Sequence, residues 1–211
     1  MILAVDAGNT RVKASLAGPS RVAGLFEIPT SPESALARRF RDALDRVLDR
    51  LAGIEGSVIC SVVPGLDRSL SSAIRGAAAV PVHILGHDSI LPYRIRVRRP
   101  AAVGGDRLAA AAGAIGGGRA HAIVVDVGTA ITVDLVVYRV FRGGLIMTGP
   151  GLAVEALGTH ARRLPRVTPE VLRGPEPRRF DDTKPAMLLG ARVAAAGAVL
   201  EGVRAVRRAS R

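Results

Sequence analysis

"AVDAGNTRVK" at residues 4–13 and "VVDVGTAITVD" at residues 124–134 follow one pattern. Each carries an apolar β-forming run into Asp-x-Gly, adds a small polar residue, and resumes a second β-rich run. A strand–turn–strand unit of this kind suits a polyphosphate. The glycine lets backbone approach a phosphate, N–H and hydroxyl groups hold its oxygens, and the aspartate holds a metal ion or water. Repeated about half a chain apart, the unit predicts a duplicated fold whose two hairpins clamp a polyphosphate between two domains. Ala7–Thr10 supply turn chemistry, because Gly8 and Asn9 tolerate positive φ. Alternation puts Arg11 and Lys13 on one side of the second strand, opposite Val12, Ala14 and Leu16, so that Lys13 leans back toward the phosphates. Either hairpin alone reads equally well as an ordinary Asp-Gly turn; the matched pair favours phosphate.

Outward from the first hairpin, a third strand is expected around residues 22–28. Ser31-Pro32-Glu33 has the chemistry of a helix start, and Leu36, Phe40, Leu44, Val47 and Leu51 form one apolar face up to Gly53. "SVICSVVP" (57–64) reads as a buried strand, 66–76 as a helix and "VPVHIL" (80–85) as a strand. The order βββαβαβ predicts a mixed sheet with helices packed on it. "LPYRIRVRRP" (91–100) is the expected link between halves, and "VGGDRLAAAAGAIGGG" (103–118) a helix opened by Gly104 and Gly105. Three strands then repeat the opening of the chain, followed by a helix over 152–163, a Pro/Arg-rich loop over 164–182 and an alanine-rich helix over 187–206. The expected domains are 1–100 and 101–211.

The 211-residue chain is 48% hydrophobic, enough for a substantial core, and carries a formal charge of +12. That charge points to an anionic partner, phosphorylated small molecules or nucleic acid. Only 3% of residues are aromatic and the arginines are scattered, which argues against nucleic acid and leaves DNA binding a distant third reading. Arg or Gly interrupts each long apolar run, so no membrane span is expected. The strand-like "MILAVD" start predicts no signal peptide, and the single cysteine, Cys60, predicts no internal disulfide; both fit a cytoplasmic protein. Cys60 reads as a buried small hydrophobe, the four histidines lack metal-ligand spacing, and Asp134 supports the second hairpin or sits solvated on its strand.

In order and spacing, "DAGNTRVK", "SVVP", "VGGDR", "DVGTAITVD", "GGLIMTGPGL" and "LPRV" resemble the motifs of type III pantothenate kinase, over nearly the whole chain. The resemblance implies an α/β fold of two RNase-H-like domains, as in the actin, Hsp70 and sugar-kinase superfold, with ATP between them. It implies ATP-dependent phosphorylation of pantothenate to 4'-phosphopantothenate, the first step of coenzyme A biosynthesis, by a homodimer. Asp6, Gly8, Asn9, Thr10 and Lys13 match the phosphate motif that holds ATP and its magnesium. Gly104, Gly105, Asp106 and Arg107 match the substrate motif, in which the aspartate is the catalytic base. Asp126 matches the position for a monovalent cation, potassium or ammonium. Thr129 matches an ATP contact, and Thr183 a substrate contact. Leu188, Leu189, Val193, Val199 and Leu200 of the late helix offer the dimer an apolar surface.

Two departures accompany the match. The family has a tyrosine three residues before the proline preceding Gly-x-Asp-Arg, where this chain has Val97. The family also continues past the late helix into a strand and a Thr-Gly-Gly turn beside the adenosine. The expected second domain therefore lacks its last strand and helix. The alternative to an enzyme is a non-catalytic, pantothenate-kinase-like binding or regulatory protein with an incomplete nucleotide pocket.

Overall fold

A computed structural model describes residues 1–210. The chain divides into two compact units. One comprises Met1–Leu91 with Arg99–Ala109; the other takes Pro92–Arg98 and the chain from Ala110 onward.

In the first unit, β1 (Ile2–Ala7), β2 (Arg11–Ala17) and β3 (Val22–Pro29) form an antiparallel meander. α1 (Leu36–Asp45), β4 (Gly56–Ser61), α2 (Leu66–Ala78) and β5 (Val82–Ile84) follow. The sheet order is β3-β2-β1-β4-β5, with β4 and β5 parallel to β1. Parallel neighbours need crossovers, and the two helices supply them. Alternation buries Leu3, Val5 and Ala7 of β1 and Val12, Ala14 and Leu16 of β2 in one cluster with Leu36, Phe40 and Leu44 of α1 and Leu70 and Ile74 of α2. Phe26 of β3 meets Phe40 edge-on at 5.6 Å. The helix expected from Ser31 opens instead as a 3-10 turn at Glu33–Ala35 and ends at Asp45. A further 3-10 turn, Leu48–Leu51, carries Leu51 into the core before Gly53 turns the chain at φ 76°.

The second unit is built on β7 (Ala122–Val127), β8 (Ala130–Val137) and β9 (Val140–Thr148), again an antiparallel meander. β6 (Arg94–Ile95), from the Pro/Arg-rich bridge, pairs in parallel with β9, giving the order β6-β9-β8-β7. α4 (Pro150–His160) and α5 (Thr183–Ala209) complete it. Ile131, Val133 and Leu135 of β8 pack with Val206 of α5, and Val154 of α4 with Met187, Leu188 and Ala191. A Cβ at Gly202 would lie 3.0 Å from Val133 Cγ2 and 3.1 Å from Met147 Cε, so this glycine seats α5 on the sheet. Tyr93 is buried and stacks on Phe141 at 6.0 Å.

Two expectations are corrected here. The helix α3 (Gly105–Ile115) begins in the first unit, so Gly104–Arg107 do not belong with the second half. The reason is packing: Gly105 seats the helix start against β4 and the loop after β5. The bridge, for its part, is an edge strand of the second sheet. By length and composition alone, α5 is long and apolar enough to cross a membrane. In this fold it lies along its own sheet and α4.

Candidate active site

Asp6 stands at the end of β1, opposite Lys13 on β2, which in turn stands opposite Glu27 on β3. Cys60 of β4 is level with Asp6 on its other side. Because their neighbours Val5, Ala7, Val12, Ala14 and Ile59 face the helices, Asp6, Lys13 and Cys60 share the opposite face of the sheet. Arg11 is held by Glu27 through an ion pair of 2.6 Å. In the turn, Gly8 N–H donates to the Arg11 carbonyl at 2.9 Å. Neither Gly8 nor Asn9 uses the positive φ it tolerates. A Cβ on Gly8 would touch only the Arg11 carbonyl, at 3.3 Å. Glycine is thus not required by the backbone conformation; it leaves the turn bare for close approach.

Gly104, Gly105, Asp106 and Arg107 open α3 in the same unit. A Cβ at Gly105 would lie 3.0 Å from the Leu85 carbonyl oxygen and 3.2 Å from Cys60 Sγ. Only glycine brings the helix start so close to β4. Asp106 Oδ1 accepts the Arg107 backbone N–H at 2.7 Å. Burial, and then the charges of Asp6, Asp106 and Asp67, push the Cys60 thiol up to about 12. Asp6 and Asp106, widely separated in sequence, are therefore brought around one buried, protonated thiol. Among the described residues no group of three or more His, Cys, Asp or Glu is placed to hold a metal ion. A divalent ion beside Asp6 would need phosphate oxygens to complete its shell, the usual arrangement for magnesium.

The second hairpin lies in the other unit. Asp126 ends β7 opposite Thr132. Gly128 N–H donates to Ala130 at 2.9 Å, and the Thr129 carbonyl accepts from Gly149 at 3.0 Å. A Cβ at Gly149 would collide with the Gly128 carbonyl oxygen and lie 2.5 Å from that of Thr129. Thr183 starts α5, its N–H capped by Asp182 Oδ1 at 2.7 Å. It lines a cleft of about 600 Å³ with Phe180, Asp181, Asp182 and Met187; Asp126 and Thr129 do not line that cleft.

Sequence reasoning missed three contributors. Thr30, just after β3, reads as an ordinary β-former, yet its hydroxyl donates to the Gly8 carbonyl at 2.7 Å. Gly149 reads as the last residue of the strand "GGLIMTG", whereas the strand ends at Thr148 and Gly149 braces the second turn. Asp67 reads as a helix-start acid, yet its charge reaches Cys60. Asp134 is buried in the second sheet, where its charge adds to burial in raising the Tyr93 hydroxyl.

The fold matches that of ethanolamine utilization protein EutJ from Carboxydothermus hydrogenoformans with a TM-score of 0.56, over 95% of this chain and 70% of that one. At 14% identity this likeness speaks to the fold alone, a mixed α/β architecture. Type III pantothenate kinase from Desulfovibrio desulfuricans is 36% identical over 189 residues, covering 83% of this chain and 68% of the relative. The enzyme of that name from Acidiphilium cryptum is 35% identical over 176 residues, covering 79% and 64%. The chain thus spans about two thirds of the length of these relatives. The family profile for type III pantothenate kinase matches residues 2–205. With the ordered motifs, the hairpins and the Asp106 helix start in place, the chain belongs to the type III pantothenate kinase family.

Proposed function

We propose that the protein transfers the γ-phosphoryl group of ATP to the primary hydroxyl of pantothenate, forming 4'-phosphopantothenate and ADP. Asp106 accepts the hydroxyl proton as the substrate oxygen bonds to phosphorus and the bond to the bridging oxygen of ADP breaks. Gly8, Asn9, Thr10 and Lys13 hold the phosphates, and Thr129 adds a contact from the second hairpin. Asp6 would hold magnesium together with the phosphates, and Asp126 a potassium or ammonium ion; each offers an exposed carboxylate at a strand end. The metal supplies neutralisation of charge on the transferred group. Gly104, Gly105, Arg107 and Thr183 take the pantothenate. On this reading the two units are the RNase-H-like halves of the superfold. The protein is cytoplasmic and a homodimer, with Val193 and Leu200 of α5 exposed for the contact; Leu188 belongs to the core instead.

The observation that supports this most is the gathering of Asp6 and Asp106 around Cys60, in the unit that also carries the Lys13 hairpin. The test is Asp106→Asn in a coupled assay with ATP and pantothenate, with and without potassium. Turnover should fall by about 10²–10⁴-fold in a folded protein. A variant keeping more than about a tenth of wild-type turnover would place the base elsewhere. One observation favours a non-catalytic homologue. The nearby Tyr93 is buried on Phe141 and cannot stand in for the tyrosine replaced by Val97. A folded wild-type protein with no turnover of pantothenate would select that reading.

A further inference from the structure

We infer that Thr30 positions the first phosphate hairpin, and that Arg39 acts on the hairpin through Thr30; this rests on the reading of that hairpin as the ATP-phosphate site. Thr30 is 2% exposed and out of reach of any ligand. Its hydroxyl donates to the Gly8 carbonyl at 2.7 Å, and its own N–H donates to the Thr10 carbonyl at 3.0 Å. One residue thus ties down both ends of the three-residue turn. In a trans peptide the carbonyl and the following N–H point opposite ways. Drawing the Gly8 carbonyl toward Thr30 therefore aims the Asn9 N–H away from it, to the exposed side of the turn. A phosphate-binding turn depends on such aimed N–H groups, and their direction must be fixed before the ligand arrives.

Arg39 fixes Thr30 in turn. From α1 its Nη1 donates to the Ser31 carbonyl at 3.0 Å, and its Nη2 donates to those of Pro32 at 2.9 Å and Thr30 at 3.4 Å. These three bonds to consecutive carbonyls hold the guanidinium on this segment. The link runs from α1 through the residue that follows β3 to the turn.

The test is calorimetric titration of Mg-ATP into the full chain at a temperature well below unfolding, with thermal midpoints measured alongside. Thr30→Val keeps the side-chain shape but leaves the Gly8 carbonyl without its donor, and should weaken Mg-ATP about tenfold. Thr30→Ser restores the hydroxyl and should bind within about threefold of wild type. Arg39→Met should weaken binding about threefold, and the double variant should bind no more weakly than Thr30→Val alone, because both act through one contact. If Thr30 were merely structural, Thr30→Val would lower the midpoint and leave the affinity unchanged; that result overturns the inference. Additive losses in the double variant overturn the role given to Arg39. Should Thr30→Val not fold, Arg39→Met decides, and wild-type affinity in it overturns the proposal. A wild-type protein that binds no Mg-ATP overturns the phosphate reading of the hairpin and this inference with it, an outcome distinct from all the others.

Discussion

The two hairpins carry the same motif and are supported by opposite means. The first sits on a one-sided sheet: β2 alternates strictly, with Val12, Ala14 and Leu16 buried and Lys13 outside. The second runs into β8, buried along nearly its whole length, on both faces. The first turn is fastened by a side chain, the hydroxyl of Thr30. The second is fastened by the bare backbone of Gly149 at the start of α4. The turns also differ by one residue, Gly8–Thr10 against Gly128–Thr129. Because side chains alternate, that single residue decides what faces each acid: Lys13 opposite Asp6, Thr132 opposite Asp126. A duplicated element has thus been split into a half that supplies positive charge and a half that supplies only neutral donors and a carboxylate.

The largest expected effect tests how each turn is fastened. Gly149→Ala forces a methyl into the Gly128 and Thr129 carbonyls and should cost about 3 kcal/mol of stability, the upper range for overpacking. Gly8→Ala meets only the Arg11 carbonyl at 3.3 Å, with no positive φ to strain it, and should cost about 1 kcal/mol or less. Denaturant unfolding of the two variants measures both. Equal losses would erase the distinction between the turns.

The next effect concerns charge. Lys13→Ala should leave stability nearly unchanged, since Lys13 is exposed, and should weaken Mg-ATP by about 2 kcal/mol, the scale of a charge-assisted hydrogen bond. Thr132→Val, at the matching place in the second hairpin, should change Mg-ATP affinity by less than about 0.5 kcal/mol, as for a site without a broken interaction. Titration calorimetry of both, with adenosine as a control that lacks phosphates, checks the asymmetry. A loss in Thr132→Val as large as that in Lys13→Ala would mean that the second hairpin contributes as much as the first.

Much of this was legible in the chain. The strand order of the first half follows from runs of alternating and continuous apolar residues, and Leu36, Phe40 and Leu44 reach the core as their spacing predicts. The hairpins were legible because an acid, a glycine and a small polar residue are fixed by local chemistry. What was not legible is what depends on contacts distant in sequence. Nothing near Thr30 reveals a bond to Gly8, and nothing near Gly105 reveals Cys60 and Leu85 beneath it. The boundary near residue 100 was misplaced for the same reason: a Pro- and Arg-rich stretch reads as a linker until β9 pairs with it. Glycine's tolerance of positive φ goes unused at Gly8, where only its small size matters.

The smallest effect separates the surroundings of the two hairpin acids. Asp6 lies beside a buried thiol, whereas Asp126 faces Thr132, which does not titrate. Burial and the charges of Asp6, Asp106 and Asp67 raise the Cys60 thiol from 9.0 to about 12 in the folded protein. Between those values the folded chain keeps the proton and the unfolded chain releases it. The unfolded state then binds fewer protons, so stability must fall as pH rises. The contribution is complete below pH 9.0 and is lost as pH passes about 12. Tyr93, raised mainly by burial, drives stability the same way at still higher pH, so the wild-type slope alone does not isolate Cys60. The difference between wild type and Cys60→Ala does. At pH 7 that substitution should cost about 1 kcal/mol or less, since it removes one small buried atom. From pH 9.0 upward the wild-type curve should fall relative to that of the variant, and Asp6→Asn, by lowering the folded-state thiol, should end that fall at lower pH and make it smaller. Denaturant unfolding at stepped pH measures this. Parallel curves for wild type and Cys60→Ala would mean that Cys60 ionises alike in both states, and that the carboxylates of the first hairpin and of α3 do not act on it.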